Sequence, residues 1–342
     1  MHVLFGLSGD DPGFLAEFQV ALKSVLLNAP LDSALTIHIV ADRADAVQSA
    51  LEQQTGVSHW QTRQAISIRI YRVGAATLDQ WTAQIEKTLG PLTALFPFWK
   101  TVPMFRHTVG QYFRLFAHHI VQQQNVQHLL YLDTDVVIMS NLQHLWRQRN
   151  AQHWFQWGAN MVSACILINV PRLEDVWRRY QDVDVYHVKN IMENTLDRHI
   201  ADDQMILQVI NVTYPDAVGL LSPEWDVSYV DGPWNNHQKN KLNEPVIPQY
   251  RSAVGMLHYN GGGASKQAYM IQHEVFRDSS KSCSWLRSLL GGKCNVHQNT
   301  LGSSWGLARY YIDLPWSQAR FIAESQVQGD ECYKVEMSVV DV

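Results

Sequence analysis

The sequence predicts an α/β fold with a mostly parallel central sheet, flanking helices and a C-terminal extension. Two observations carry this. Apolar and helical patterns alternate along the first 73 residues as strand, helix, strand, helix, strand, the rhythm of βαβ units. The chain of 342 residues is 46% apolar and 17% charged, enough to bury a large core and too apolar for intrinsic disorder.

The elements follow in order. Val3 to Leu7 is an apolar run that reads as the first strand. Ser8-Gly9-Asp10-Asp11-Pro12-Gly13 is a turn signal. Leu15, Phe18, Ala21, Leu22, Val25 and Leu26 then recur at the spacing of one helix face. Thr36 to Val40 is a second strand, Ala44 to Gln54 a helix, and Ile66 to Val73 a third strand. Pro91, Pro97 and Pro103 make the stretch from Gly74 to Phe105 read as irregular. Thr108 to Gln122 reads as a helix, with Tyr112, Phe113, Leu115, Phe116 and Ile120 on its apolar side.

Leu129 to Leu132 is a short buried strand ending in Asp133-Thr134-Asp135, and Val136 to Met139 continues the apolar run. Asn141 is placed to cap a short helix through Trp146. Ala164 to Val170 reads as a strand, Pro171 to Tyr180 as a helix, and Asp202 to Ile210 as a helix with an acidic start. The stretch from Leu221 to Val254 is rich in proline and reads as loop. Met256-Leu257 leads into His258-Tyr259-Asn260-Gly261-Gly262-Gly263. Beyond about residue 275 the pattern weakens. The expected division is therefore 1–275 as the main domain and 276–342 as an extension or small subdomain.

Composition excludes several classes. The net charge is −5, so the chain lacks the basic face that nucleic acid requires. No apolar run reaches the roughly 18 residues of a membrane span, and no signal-peptide pattern is visible. The four cysteines, Cys165, Cys283, Cys294 and Cys332, include no C-x-x-C pair. Cys283 and Cys294 flank Gly291-Gly292 and suit a local disulfide, and Asn211-Val212-Thr213 is a glycosylation sequon. A secretory lumen and a reducing cytoplasm both remain open. Twelve Trp and thirteen Tyr serve a core or stack on sugar faces, and Trp154, Trp157 and Trp234 are candidates for an acceptor platform.

The sharpest chemical feature is Leu129-Leu130-Tyr131-Leu132-Asp133-Thr134-Asp135. Two carboxylates at i and i+2 after an apolar strand converge where the chain turns. Their hard oxygens suit Mg²⁺ or Mn²⁺, with phosphate oxygens completing the coordination. They also suit a plain solvated strand exit. His258 offers a neutral imidazole as a third ligand. The glycines behind it let backbone N–H groups approach a phosphate, and Lys266 adds positive charge. Alone, the same segment also reads as a turn with a surface histidine.

Taken together, these stations resemble the retaining glycosyltransferases of family 8, which have the GT-A fold. That group holds glycogenin, lipopolysaccharide glycosyltransferases and xyloside xylosyltransferases. The matching stations are Val3–Leu7 with its turn, Ala21-Leu22-Lys23-Ser24, Tyr112-Phe113-Arg114-Leu115 and Leu130-Tyr131-Leu132-Asp133-Thr134-Asp135-Val136. Further along they are Cys165-Ile166-Leu167-Ile168-Asn169, Asp203-Gln204 and Leu257-His258-Tyr259-Asn260-Gly261. Their order along residues 3 to about 266 is the family's order. This chain departs from the pattern at Val162, where Asn is frequent, and at Ala164, where Gly is frequent. Trp225-Asp226 stands where Trp-Asn or Tyr-Asn is common, and Lys266 lies eight residues after His258 instead of six.

The resemblance implies a UDP-sugar donor, a glycan or glycoconjugate acceptor, and a divalent cation, usually Mn²⁺, held by Asp133, Asp135 and His258. It implies Leu7, Ser8 and Asp10 near the uracil and Thr134 near the ribose. Gly261 and Lys266 would meet the diphosphate, and Arg114 would lie by the donor sugar and the metal carboxylates. Asp203 and Gln204 would lie by the reacting sugar, whose anomeric configuration is retained.

Two other classes stay open. Asp133-Thr134-Asp135-Val136 also satisfies the motif of haloacid-dehalogenase-type phosphatases, with Asp133 as nucleophile. A non-catalytic sugar-binding protein on the same fold is the other. A Ser-His-Asp hydrolase is disfavoured, because Gly6-Leu7-Ser8-Gly9 does not form the G-x-S-x-G elbow.

Overall fold

Strand β1 (His2–Leu7) sits near the middle of an eight-stranded sheet, and its five residues from Val3 to Leu7 are all buried. The structure is a computed structural model. It describes residues 1–10, 12–30, 33–55, 57, 61–62, 65–95, 109–121, 124–158, 163–180, 182–184, 203–225, 227–228, 255–258 and 333–342.

Helix α1 (Pro12–Asn28) follows β1, with Pro at its first turn, and leads to β2 (Leu35–Ala41). Helix α2 (Ala44–Ala50) continues into a π turn at Leu51–Thr55. The two-residue strand β3 (Gln61–Thr62) precedes β4 (Ile66–Arg72). Strands β1, β2 and β4 pair in parallel, as the βαβ rhythm predicts. Residues 74–105, expected to be irregular, contain helix α3 (Ala75–Leu95). Leu78, Trp81 and Ile85 recur at i, i+3 and i+7 and pack on the core. Pro91 lies inside the helix and masks this pattern in the sequence.

The helix expected over 108–122 is a 3-10 helix at Val109–Phe116 followed by α4 (Ala117–Val121). The tighter winding goes with a close backbone approach. A methyl group at Gly6 would lie 2.4 Å from the Gly110 carbonyl oxygen, so the 3-10 segment rests directly on the end of β1.

Strand β5 (His128–Leu132) pairs in parallel with β1 on the side away from β2. After the Asp133-Thr134-Asp135 turn comes β6 (Val136–Ile138), then α5 (Leu142–Trp146), whose Gln143 amide donates to Asn141 Oδ1 at 2.8 Å, as the cap predicts. Strand β7 (Phe155–Trp157), not expected from sequence, is followed by β8 (Cys165–Asn169), α6 (Val170–Tyr180) and α7 (Asp203–Thr213). The three-residue β9 (Val218–Leu220) pairs in parallel with β7. Strand β8 runs antiparallel to both β5 and β7.

Within the proline-rich stretch, the 3-10 turn Pro223–Trp225 precedes β10 (Val227–Ser228). Strand β11 (Met256–His258) lies between β10 and β6 in a separate three-stranded sheet. Near the C-terminus, β12 (Tyr333–Lys334) pairs with β3, and β13 (Glu336–Asp341) joins the main sheet edge parallel to β4. The main sheet order is β13-β4-β2-β1-β5-β8-β7-β9. Alternate residues feed two cores, one on each face. Leu4, Leu129 and Tyr131 enter one, and Val3, Phe5, Leu130 and Leu132 the other. Among the described residues no helix is long and apolar enough to cross a membrane.

Candidate metal site at the ends of two parallel strands

From β1 the chain proceeds to β2 and β4 on one side, and β5 lies on the other. This is a topological switch point, where the loops leaving two adjacent parallel strands part and open a crevice at their carboxyl ends. Ser8 leaves β1 there, and Asp133 leaves β5 beside it.

The Asp133 amide donates to the Ala164 carbonyl at 2.9 Å, so β8 fixes where the β5 exit turns. The turn is also held from the far side. β6 pairs antiparallel with β11, with His258 opposite Val136. This register sets His258 beside Asp135, with Nε2 at 3.5 Å from Oδ2. Gly255, just before β11, accepts from the Met139 amide at 2.8 Å and donates to the Glu224 carbonyl at 2.7 Å. A methyl group there would lie 2.7 Å from the buried Trp225 ring.

Asp133, Asp135 and His258 each bring one potential ligand atom to within 4.8 Å of the others. Two carboxylates and an imidazole fit a divalent cation of the Mn²⁺ type by donor chemistry. His258 is buried with Nε2 facing Asp135, and its Nδ1 is buried without a hydrogen-bond partner among the described residues.

Arg114 organises the next layer. It is 3% exposed, on the 3-10 helix that rests on β1. Its Nη2 lies 3.2 Å from Asp133 Oδ1, and its Nε lies 2.9 Å from Asp203 Oδ2. The Nε hydrogen itself goes to the Gln111 carbonyl at 2.7 Å, so the Asp203 contact is an ion pair, and Nη1 donates to the Ser163 carbonyl. One planar guanidinium thus ties the Asp133 turn to the first residue of α7, a geometry that Arg satisfies and Lys does not. Asp203, 2% exposed, sits in the first turn of α7, where the helix dipole favours a carboxylate. Gln204 follows, half-buried.

The guanidinium also lies over the Tyr131 ring, 4.2 Å from its centroid, and the Tyr131 hydroxyl donates to Asp133 Oδ1 at 2.8 Å. Burial pushes the Tyr131 phenol well above its ordinary range, more than the Arg114 charge pulls it back. The phenol therefore stays a donor. Tyr131 was not among the sequence candidates. Its signal was its place two residues before Asp133 in the strand.

The β1 exit is clamped by another unforeseen residue, Asp42 at the end of β2. It accepts from the Gly9 amide at 2.8 Å and the Ser8 hydroxyl at 3.3 Å, and Gly9 has φ +82°. Leu7 is fully buried, and Asp10 is exposed. Thr134 is buried, and its hydroxyl donates to Glu17 Oε1 at 2.7 Å.

Several sequence candidates lie outside the described residues: Gly261, Lys266, Trp234, Val162, Asp226 and the cysteines at 283, 294 and 332. Trp157 does not form a platform. It is fully buried and packs edge-on against Phe155 in the core. Cys165 is a buried free thiol.

No protein-family model matches the chain, and no curated protein matches it. Solved structures do. Mouse xyloside xylosyltransferase 1 in its apo form superposes with a TM-score of 0.54 at 14% identity, over 76% of this chain and 97% of that one. The galactosyltransferase LgtC, solved with donor and acceptor sugar analogs, gives 0.42 at 19% identity over 76% and 87%. GlyE of Streptococcus pneumoniae TIGR4 gives 0.47 at 14% identity over 93% and 62%. The fold is the GT-A fold, with a mostly parallel mixed sheet and flanking helices.

Proposed function

We propose that the protein is a metal-dependent glycosyltransferase. It moves a hexose or pentose from a UDP-sugar to a glycan or glycoconjugate and retains the anomeric configuration. The observation that carries this is the convergence of Asp133, Asp135 and His258 at the switch point of a GT-A fold, tied through Arg114 to Asp203.

The three ligands hold the cation, usually Mn²⁺ and otherwise Mg²⁺. When bound, the cation supplies Lewis-acid neutralisation of the departing diphosphate. The chain's own groups do the rest. Tyr131 donates to Asp133 and Arg114 pairs with it, so its carboxylate is preorganised with little freedom to swing. Arg114 also keeps Asp203 in place at the start of α7. We assign Asp203 and Gln204 to the reacting sugar. Gln204 is a weak nucleophile, so its role is to position the sugar or to stabilise positive charge at the anomeric carbon. Ser8, Asp10 and the Leu7 backbone are assigned to the base, Thr134 to the ribose side, and Gly261 and Lys266 to the diphosphate.

The test is release of UDP from a panel of UDP-sugars, with Mn²⁺ and with EDTA, on wild type and Asp135→Ala. Metal-dependent turnover of one donor, lost in the variant, supports the proposal and names the sugar. Absence of turnover together with absence of metal-dependent nucleotide binding sinks it. Phosphate release from a simple monoester, abolished by Asp133→Ala, replaces it with the phosphatase.

A further inference from the structure

Helix α1 carries three polar residues at positions 17, 24 and 28, seven and four apart, which is the spacing of one helix face. Glu17 is 4% exposed and Ser24 fully buried, and all three reach the segment that follows Asp133. Thr134 Oγ1 donates to Glu17 Oε1 at 2.7 Å. The Ile138 amide donates to Ser24 Oγ at 2.9 Å, while Ser24 Oγ itself donates to the Ala21 carbonyl at 2.7 Å. Asn28 Nδ2 donates to the Ile138 carbonyl at 3.0 Å. One helix face therefore grips the metal turn at its middle residue and the following strand at its end.

The position of Glu17 sets it apart. A carboxylate buried this deeply is costly unless it is hydrogen-bonded, so its presence in α1 is not neutral packing. One of its partners is the residue between the two acidic ligands. Asp133 and Asp135 flank Thr134 on either side, and rotation at Thr134 would change the distance between their oxygens. Glu17 is not one of the clustered ligand atoms; it acts on the residue that spaces them.

We propose that Glu17 is a positioning residue for the metal site, acting through the Thr134 hydroxyl to fix the separation of the Asp133 and Asp135 carboxylates. This rests on the assignment of those two residues and His258 as metal ligands. Outer partners of this kind typically change metal affinity by roughly 10- to 100-fold. Because the contact is one hydrogen bond, its two ends should behave as one unit in a double-mutant cycle.

The experiment is titration of the full chain with Mn²⁺ alone by calorimetry, alongside urea unfolding of each variant without metal. Thr134→Val keeps the shape and removes the hydroxyl; Mn²⁺ affinity is expected to fall about tenfold. Thr134→Ser restores affinity to within about twofold of wild type. Glu17→Gln keeps an acceptor oxygen and loses less than Glu17→Ala, and it keeps the test usable if the alanine variant does not fold. The Glu17→Ala/Thr134→Val pair is expected to bind no more weakly than the worse single variant. A purely structural role would lower the urea midpoint while leaving Mn²⁺ affinity unchanged, and that result overturns the proposal. Additive losses in the double variant overturn it too. If wild type itself binds no Mn²⁺, the ligand assignment falls and this proposal falls with it; unchanged variants against a binding wild type defeat this proposal alone.

Discussion

Acidification is expected to destabilise the fold through His38. This histidine is fully buried on β2, with Nδ1 2.9 Å from the Tyr71 hydroxyl and Nε2 3.0 Å from His2 Nδ1. Gln124 donates to the same Tyr71 hydroxyl. The donors run in one direction: Gln124 to Tyr71, Tyr71 to His38, His38 to His2. That assignment follows from the network and uses a neutral His38. A protonated His38 would bring a second donor to Tyr71 and leave the phenolic hydrogen displaced. Burial, reinforced by the neighbouring His2 and Arg69 charges, lowers the His38 pKa from 6.5 to about 3. His2, half-buried, is lowered to about 4 by burial and the terminal amine.

The sign follows from linkage. A histidine whose folded value is depressed keeps its full stabilising contribution above the unfolded value and loses it as pH falls toward the folded one. At pH 5 the folded His38 is still neutral. The loss there therefore depends only on the gap between 5 and the unfolded 6.5, about 1.5 units at 1.36 kcal/mol each, or about 2 kcal/mol. His2 adds a smaller loss of the same sign. The assay is urea unfolding at pH 7.5 and pH 5 for wild type and His38→Gln, whose amide can accept from Tyr71 and donate to His2 without titrating. The difference between the two pH values should shrink by about 2 kcal/mol in the variant. Equal pH dependence in both proteins would mean that His38 does not carry the acid sensitivity.

Two further outcomes follow from the site. Arg114→Lys keeps the charge and cannot span Asp133 and Asp203 together, so urea unfolding should show a loss of about 1.5–3 kcal/mol and donor turnover should fall. A change below about 0.5 kcal/mol would mean that the guanidinium geometry is not used. Gly255→Ala places a methyl 2.7 Å from the Trp225 ring, just before the strand bearing His258, so about 1–3 kcal/mol of stability and some Mn²⁺ affinity should be lost together. Unchanged Mn²⁺ binding in a destabilised variant would show that β11 tolerates the shift.

Much of the site was legible because its signals are local. A strand buried throughout, ending in two carboxylates, needs no tertiary knowledge to read, and Leu129–Leu132 followed by Asp133 and Asp135 is such a stretch. What escaped depends on distant partners. Glu17 and Ser24 gain their partners only when the Asp133 turn and β6 are packed against α1. Asp42 becomes meaningful only when β1 and β2 lie side by side with their ends aligned. Strand β13 alternates exposed and half-buried residues and pairs with β4, so nothing within Glu336–Asp341 announces it. Strands β7 and β9 are three residues each, too short to show a period. Helix α3 was hidden by Pro91, because a proline ordinarily marks a break and here is tolerated within the helix.

If Asp133, Asp135 and His258 together hold one divalent cation for a nucleotide-sugar, calorimetric titration of Mn²⁺ into wild type, Asp135→Asn and His258→Ala, each with and without UDP, will show it. Wild type is expected to bind one Mn²⁺ per chain, more tightly with UDP, and both variants to lose binding while their urea midpoints stay close to wild type. Wild type that takes up no Mn²⁺, or variants that bind it as wild type does, would contradict it.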